Sequence, residues 1–124
     1  MRFHQDARRR FVGDIFGRPD GDFNAVTLFP GVVIAWHRHQ FQDDGIYVLY
    51  GSVIVQAIDL DGVRHRWDLD APNALPVFIA RGWWHGYASR DGATILSFNG
   101  PRKYDEILPD EERHPIDTEM PWDA

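Results

Sequence analysis

From residue 22 onward the chain is written in short runs rich in Val, Ile, Phe, Tyr and Trp, broken by Gly, Pro, Asn and Asp. Within the runs apolar and polar positions tend to alternate, the period of a strand with one face buried. The pattern predicts strands over residues 22–29, 31–38, 45–50, 52–60, 63–68, 76–80, 84–89 and 93–99. Asp61-Gly62 and Asp91-Gly92 mark turns between them and favour tight hairpins through positive φ at the glycine. Eight short strands at this spacing mean an all-β sandwich or barrel. No helical periodicity long enough for a packed helix precedes residue 104. The segment 104–113 is at most one short helix, and Pro109 inside it argues for a turn instead.

The second run says most about the surroundings. If Val33, Ala35, His37 and His39 face the interior, then Val32, Ile34 and Trp36 face outward, and that outer face is too apolar to meet water. The run 52–60 repeats the arrangement, with Ile54 and Ile58 opposing Val53, Val55 and Ala57. The N-terminal arm, the tail or a second copy of the chain could cover it; a contiguous apolar patch of this kind usually marks an interface, so a homodimer is expected.

Composition narrows the reading. A chain of 124 residues suits one compact domain: an N-terminal arm (1–20), a barrel (21–100) and an acidic C-terminal tail (101–124). Hydrophobic content of 44% excludes a disordered chain, and a net charge of −6 argues against a nucleic-acid partner. With no cysteine, neither disulfides nor thiolate ligands contribute. The N-terminus lacks the apolar core of a signal peptide, and no apolar stretch reaches the roughly 20 residues that span a bilayer, so a cytoplasmic protein without membrane contact is expected. Residues 1–18 hold five Arg against two Asp; Arg8-Arg9-Arg10 reads as a solvated arm. Residues 101–124 hold eight acids against three bases.

The candidate chemistry lies in His37-Arg38-His39 and the residues that follow. Two histidines two apart on a strand share a face, roughly 6.6 Å apart along it. Asp44 opens the next run, with Asp43 and Gln40 as alternative acceptors if Asp44 is only a turn residue. His85 follows in Arg81-Gly82-Trp83-Trp84-His85. Three imidazoles and a carboxylate suit one divalent ion, whether iron, manganese, nickel or zinc, and leave positions open for a ligand. Without an ion, three neutral imidazoles crowded in a dry barrel would leave nitrogens unpaired. Trp83 and Trp84, beside His85, are candidates for contact with substrate, and Arg81 could hold a substrate carboxylate or phosphate by its fork; core packing and a plain surface arginine are the alternatives. Tyr87 shares the face of His85, as a proton donor or oxyanion partner, or as a packing anchor. His4, His65 and His114 have no partners at ligand spacing.

These residues carry a family resemblance. The stretch Gly31, five residues, His37-x-His39, four residues, Asp44, six residues, Gly51 resembles the first cupin motif. Ala80-x-Gly82-x-x-His85, with Ser89 where an asparagine often sits, resembles the second. Asp44 stands where the family normally has Glu, one methylene longer, and Ala80 where it has Pro. The resemblance implies a double-stranded β-helix, or jelly-roll barrel, with His37, His39, Asp44 and His85 as metal ligands. It implies a metal-dependent enzyme on a small oxygenated substrate, His85 and Tyr87 taking part in catalysis, or else a non-catalytic module that binds a small ligand. A weaker similarity runs to the dTDP-4-dehydrorhamnose 3,5-epimerases, in residues 48–60, in His85-Gly86-Tyr87 and in the acidic tail near Pro121-Trp122. It implies a sugar-nucleotide epimerase or isomerase as an alternative. That family has one base histidine in the first motif and a Lys before the next strand; here His37 and His39 are paired, that Lys is missing, and Ser97-Phe98 lie near the expected tyrosine.

Overall fold

The computed structural model describes residues 1–113. Ten strands follow in order: β1 (Arg2–Gln5), β2 (Arg9–Gly13), β3 (Asp22–Leu28), β4 (Val32–Arg38), β5 (Gln42–Ile58), β6 (Arg64–Asp70), β7 (Val77–Ile79), β8 (Trp84–Ser89), β9 (Ala93–Pro101) and β10 (Glu112–Arg113). There is no helix among the described residues. All pairings are antiparallel, along the path β1-β2-β3-β9-β5-β8-β4-β10, with β6 and β7 also on β5. The result is the expected jelly roll, two curled sheets sharing β5.

Strand β5 joins the sheets, and here the structure differs from the two separate strands expected at 45–50 and 52–60. Its first part pairs with β7 and β9, its second with β6 and β8. A register shift between Val48 and Tyr50 bends it. Gly51 lies at the handover with φ of 80°, where an added Cβ would sit 2.4 Å from the carbonyl oxygen of Gly92. The second glycine turn also works differently from expectation. Asp61-Gly62 closes the β5–β6 hairpin, but Asp91-Gly92 links β8 to β9, which lie in different sheets.

The core lies between the sheets, with Val26, Leu28, Val48, Val53, Val55, Ile79 and Ile95 almost wholly buried. Each such side chain contributes about 1.5–3 kcal/mol over leaving it in water. On β4 the expected alternation fails. Val32 and Ile34 belong to this core and Val33 points out. A register shift against β8 between Ile34 and His37 inserts an extra residue, so Ala35 and Trp36 both pack in a second cluster with Ala88, Ile54, Ile58 and Trp84. Beyond the bulge His37 is back inside, opposite His85. A bulge of this kind re-aims a side chain without ending the sheet.

The ends depart most from expectation. The arm is no solvated tail: β1 and β2 form a hairpin that extends the β3 sheet. Arg8 pairs with Asp6, Arg10 stays exposed, and Arg9 turns toward the interior. At the other end β10 pairs with β4 through Glu112 and Arg113. His114, Pro121 and Trp122 lie outside the described residues.

Candidate metal centre

Three strands bring the four polar residues together. His37 comes from β4 just past the bulge, His39 follows it, Asp44 sits on the first part of β5, and His85 on β8. Ring centroids are 4.3 Å apart for His37 and His85, 5.3 Å for His39 and His85, and 5.4 Å for His37 and His39. One ligand atom from each of the four lies within 4.8 Å of all the others. His37, Asp44 and His85 are buried and His39 half-buried. His37, His39 and Asp44 form the floor of a cavity of about 540 Å³, and His85 lies buried beside them.

Neighbours fix how each donor points. His85 Nδ1 lies 3.1 Å from the carbonyl oxygen of Trp83 and His39 Nδ1 meets that of Asp110. Carbonyls only accept, so both Nδ1 atoms carry a hydrogen and both Nε2 atoms turn toward Asp44, the orientation that metal-binding histidines adopt. His39 Nε2 is 3.3 Å from Asp44 Oδ2, and His85 Nε2 abuts the same oxygen. Asn99, opposite Asp44 on β9, donates its amide to Asp44 Oδ1.

Two buried nitrogens, His37 Nδ1 and His85 Nε2, have no hydrogen-bond partner among the described residues. For His85 this stands beside its close contact with Asp44. Electron-rich atoms converging in a buried spot fit a cation, and the donor set suits a divalent one.

Charges in the cluster shift accordingly. Burial and the neighbouring His85 push His37 well below the usual imidazole range. Burial works against the charged form of His39 too, but the hydrogen bond and charge of Asp44 outweigh it and raise that imidazole to about 9. For Asp44 burial would raise the carboxyl, yet His85 and His39 prevail and hold it below the usual range.

The remaining candidates lie elsewhere or play other parts. Asp43 takes the fork of Arg81 on both oxygens, at 3.1 Å each, and the Arg81 backbone N–H at 2.9 Å. Neither Asp43 nor Arg81 borders the cavity, and Gln40 is exposed. Trp84 packs on the outer cluster beneath the Arg38 guanidinium, and Trp83 stacks on His65 at 5.1 Å. Neither ring lines the cavity. Strand alternation explains Trp84, which must face away if His85 faces in. Tyr87 does line the cavity; burial raises its phenol, opposed by the charge of Arg9.

Sequence reasoning passed over Asn99, Asp110 and Arg9. Asn99 is visible only through the β5–β9 register, and the part of Asp110 comes from a loop with no local signal. Arg9 had a signal: Arg2-x-His4 and Arg9-x-Phe11 alternate about a turn at Asp6.

No family model matches the chain. Among curated proteins it is 32% identical over 107 residues to "Probable low-salt glycan biosynthesis epimerase Agl13" of Haloferax volcanii, covering 80% of this chain and 68% of that protein. Among solved structures it superposes on the capsular polysaccharide assembling protein CapF of Staphylococcus aureus with a TM-score of 0.79 at 18% identity, over 90% of this chain and 31% of that one. The chain belongs to the cupin superfamily. Oxalate decarboxylase of Bacillus subtilis matches this cupin with a TM-score of 0.74 at 18% identity, over 90% of this chain and 29% of that one. KdgF of Halomonas sp. gives 0.68 at 19%, over 87% and 94%. The cupin thus spans about a third of the CapF and oxalate decarboxylase chains and nearly all of KdgF. At these identities the superpositions establish the fold.

Proposed function

We propose that this cupin is a metal-dependent enzyme acting on a small oxygenated molecule in the cavity above His37, His39, Asp44 and His85. The observation that carries the reading is the convergence of four donors, three of which, His85, His39 and Asp44, are held in the ligating orientation by second contacts to Trp83, Asp110 and Asn99. A divalent ion held there would supply Lewis acidity toward a substrate carbonyl or hydroxyl. The apolar side chains Val26, Ile46 and Ile95 limit water on one side of the cavity, and the Tyr87 hydroxyl can give or take a proton at a substrate oxygen.

Metal content per chain, measured by elemental analysis on wild type and on His39→Ala, tests the reading. Near-stoichiometric metal that disappears in the variant supports it. No metal in either, even after incubation with iron, manganese, nickel and zinc, sinks it.

A second reading, a sugar epimerase or isomerase working by proton transfer alone, is favoured by the similarity to the Haloferax epimerase. Here a histidine of the cluster would remove a proton next to a carbonyl and Tyr87 would return one. Exchange of substrate C–H for deuterium in heavy water that survives complete chelation selects this reading over the first.

The homodimer belongs here as well. The outer face of the β3–β9–β5–β7 sheet carries an aromatic row, Phe16, Phe23, Phe98 and Phe78, with Phe16 and Phe78 more than two-thirds exposed. A second copy covering it is the economical way to remove such a face from water. A monomer by light scattering at micromolar concentration refutes this.

A further inference from the structure

The cavity has a second chemical feature that the metal reading leaves unused. In the β1–β2 hairpin Arg2 pairs with Gly13 and His4 with Phe11, so Arg2, His4, Arg9 and Phe11 share one face. All four line the cavity, as a wall over the floor that holds His37, His39 and Asp44. A chain that carries a net negative charge thus directs the two guanidinium groups of this hairpin into the histidine-floored cavity.

The two arginines differ from most others in what they touch. Arg8, Arg18, Arg38, Arg66 and Arg81 each sit on a carboxylate. Among the described residues neither Arg2 nor Arg9 has a carboxylate partner. Arg9 Nε is buried and makes no hydrogen bond among the described residues. Beyond a hydrogen bond from the Arg9 side chain to the Tyr87 hydroxyl, their contacts are aromatic: the Arg2 guanidinium lies 3.9 Å from the Tyr104 ring centroid, and the Arg9 guanidinium 5.0 Å from that of Phe11. A guanidinium stacked on a ring keeps its edge N–H donors free for a planar acceptor. A buried donor left unmade costs free energy that an arriving acceptor would recover.

The rest of the lining limits what that acceptor can be. Outside the floor Asp22, Glu106, Asp110 and Glu111 border the same cavity, and its third arginine, Arg113, pairs with Glu111, so a diphosphate or other polyanion would meet four carboxylates. A single planar carboxylate matches one guanidinium fork and carries only one charge past them. The cavity spans the arginine wall and the histidine floor, so one small molecule can reach both. Its carboxylate would lie on the wall while its hydroxyl or carbonyl oxygens lie over the floor.

We propose that Arg9, with Arg2 beside it, is a carboxylate-binding subsite, and that the substrate is a small hydroxy- or oxo-carboxylate such as a sugar acid. The subsite names the substrate class of the enzyme proposed above and rests on that reading for the orientation of the substrate, but the binding of the carboxylate does not depend on metal.

Calorimetric titration of the protein as purified, its metal content measured on the same sample, tests the subsite with D-glucuronate, D-glucose and D-glucose 6-phosphate. These ligands differ in the group at one carbon. Glucuronate is expected to bind at least about 10-fold more tightly than glucose. Arg9→Met, which keeps the stem and removes the fork, is expected to weaken glucuronate about 10- to 100-fold, the range for hydrogen bonds to charged groups, with the affinity for glucose, the metal content and the melting temperature unchanged. Arg9→Lys, which keeps the charge and loses the bidentate geometry, should fall between the two, and it serves if the methionine variant does not fold. Equal affinity for glucose and glucuronate, no binding of glucuronate at millimolar concentration, or unchanged affinity in both variants would overturn the subsite. Tighter binding of glucose 6-phosphate than of glucuronate overturns the carboxylate in favour of a phosphate ester. If no metal is found while Arg9-dependent binding of glucuronate persists, the metal reading fails and the subsite stands.

Discussion

The floor of the cavity, built by β4, β5 and β8, holds three of its four polar groups through at least two neighbours each, whereas the wall raised over it by β1 and β2 holds its arginines mainly against rings. On the floor His85 is set by Trp83 and Asp44, His39 by Asp110 and Asp44, and Asp44 by Asn99 and two imidazoles. On the wall Arg2 lies across Tyr104 and Phe11, and Arg9 across Phe11, with no ion pair among the described residues to fix either guanidinium. The floor strands are interior to the sheets, while β1 is an edge strand held only by β2. Chemistry at a metal needs donors fixed in advance, because misplaced ligands lose affinity steeply. Recognition of a substrate tolerates, and can use, a more adaptable partner. The contrast therefore assigns reaction to the floor and selection to the wall.

The largest expected effect comes from breaking the floor's scaffold without touching a polar group. Gly86 sits between His85 and Tyr87, and a Cβ there would lie 2.3 Å from the Ala35 Cβ and 2.7 Å from the Ile34 carbonyl oxygen. Gly86→Ala should push β4 away from β8 and cost about 3 kcal/mol or more, at the upper end for overpacking. Urea denaturation monitored by tryptophan fluorescence measures it; a loss under 1 kcal/mol would mean the two strands can part without consequence. Next comes the orientation of one ligand. Asn99→Ala removes the amide that holds Asp44 and should weaken metal binding about 10- to 100-fold, with little change in glucuronate affinity. Competition with a chelator of known affinity reads the first quantity and calorimetry the second; equal losses in both would erase the distinction between floor and wall.

A smaller effect is expected from Asp110. Its carboxylate accepts from the backbone N–H groups of Gln40 at 2.8 Å and Phe41 at 2.7 Å, while its carbonyl holds His39. Asp110→Ala removes the first pair and leaves the carbonyl, so stability should drop by about 1 kcal/mol, as for a lost cap, with metal binding weakened less than in Asn99→Ala.

The same contrast explains what could be read from the sequence. The floor was legible because its signal is local: two histidines at strand spacing, and a third after the Gly82 turn. The eight barrel strands were legible because one face of each is apolar. Three features were hidden. The bulge at Ala35 and Trp36 depends on β8 as much as on β4, so the alternation read from β4 alone put Val32 and Ile34 outside. The single strand Gln42–Ile58 looked like two because Gly51 reads as a turn, whereas its positive φ bends the strand from one sheet into the other. The wall was masked by composition: three arginines in a row look like a solvated charge run, and only pairing with β3 turns Arg9 inward while Arg8 and Arg10 stay out.

The mildest test loosens the wall alone. Asp6 organises the hairpin turn, accepting from the backbone N–H of Arg8 at 2.8 Å and of Arg9 at 3.1 Å, and it also contacts His4 and the Arg8 guanidinium. The His4 contact, followed by those N–H groups, holds its carboxyl below the usual range. A depressed carboxyl lends stability that is fully present above its ordinary value near 3.8 and is lost as the pH falls through the folded value below it. The Arg8 and Arg9 amide resonances should therefore shift only on acidification well below pH 3.8, through the folded value, and Asp6→Asn should show the shifted positions already at neutral pH. At neutral pH that variant should keep its full metal content and lose about twofold in glucuronate affinity, the scale of an exposed charge contact. If it lost metal instead, hairpin and metal centre would form one cooperative unit, and selection could not be separated from reaction by region.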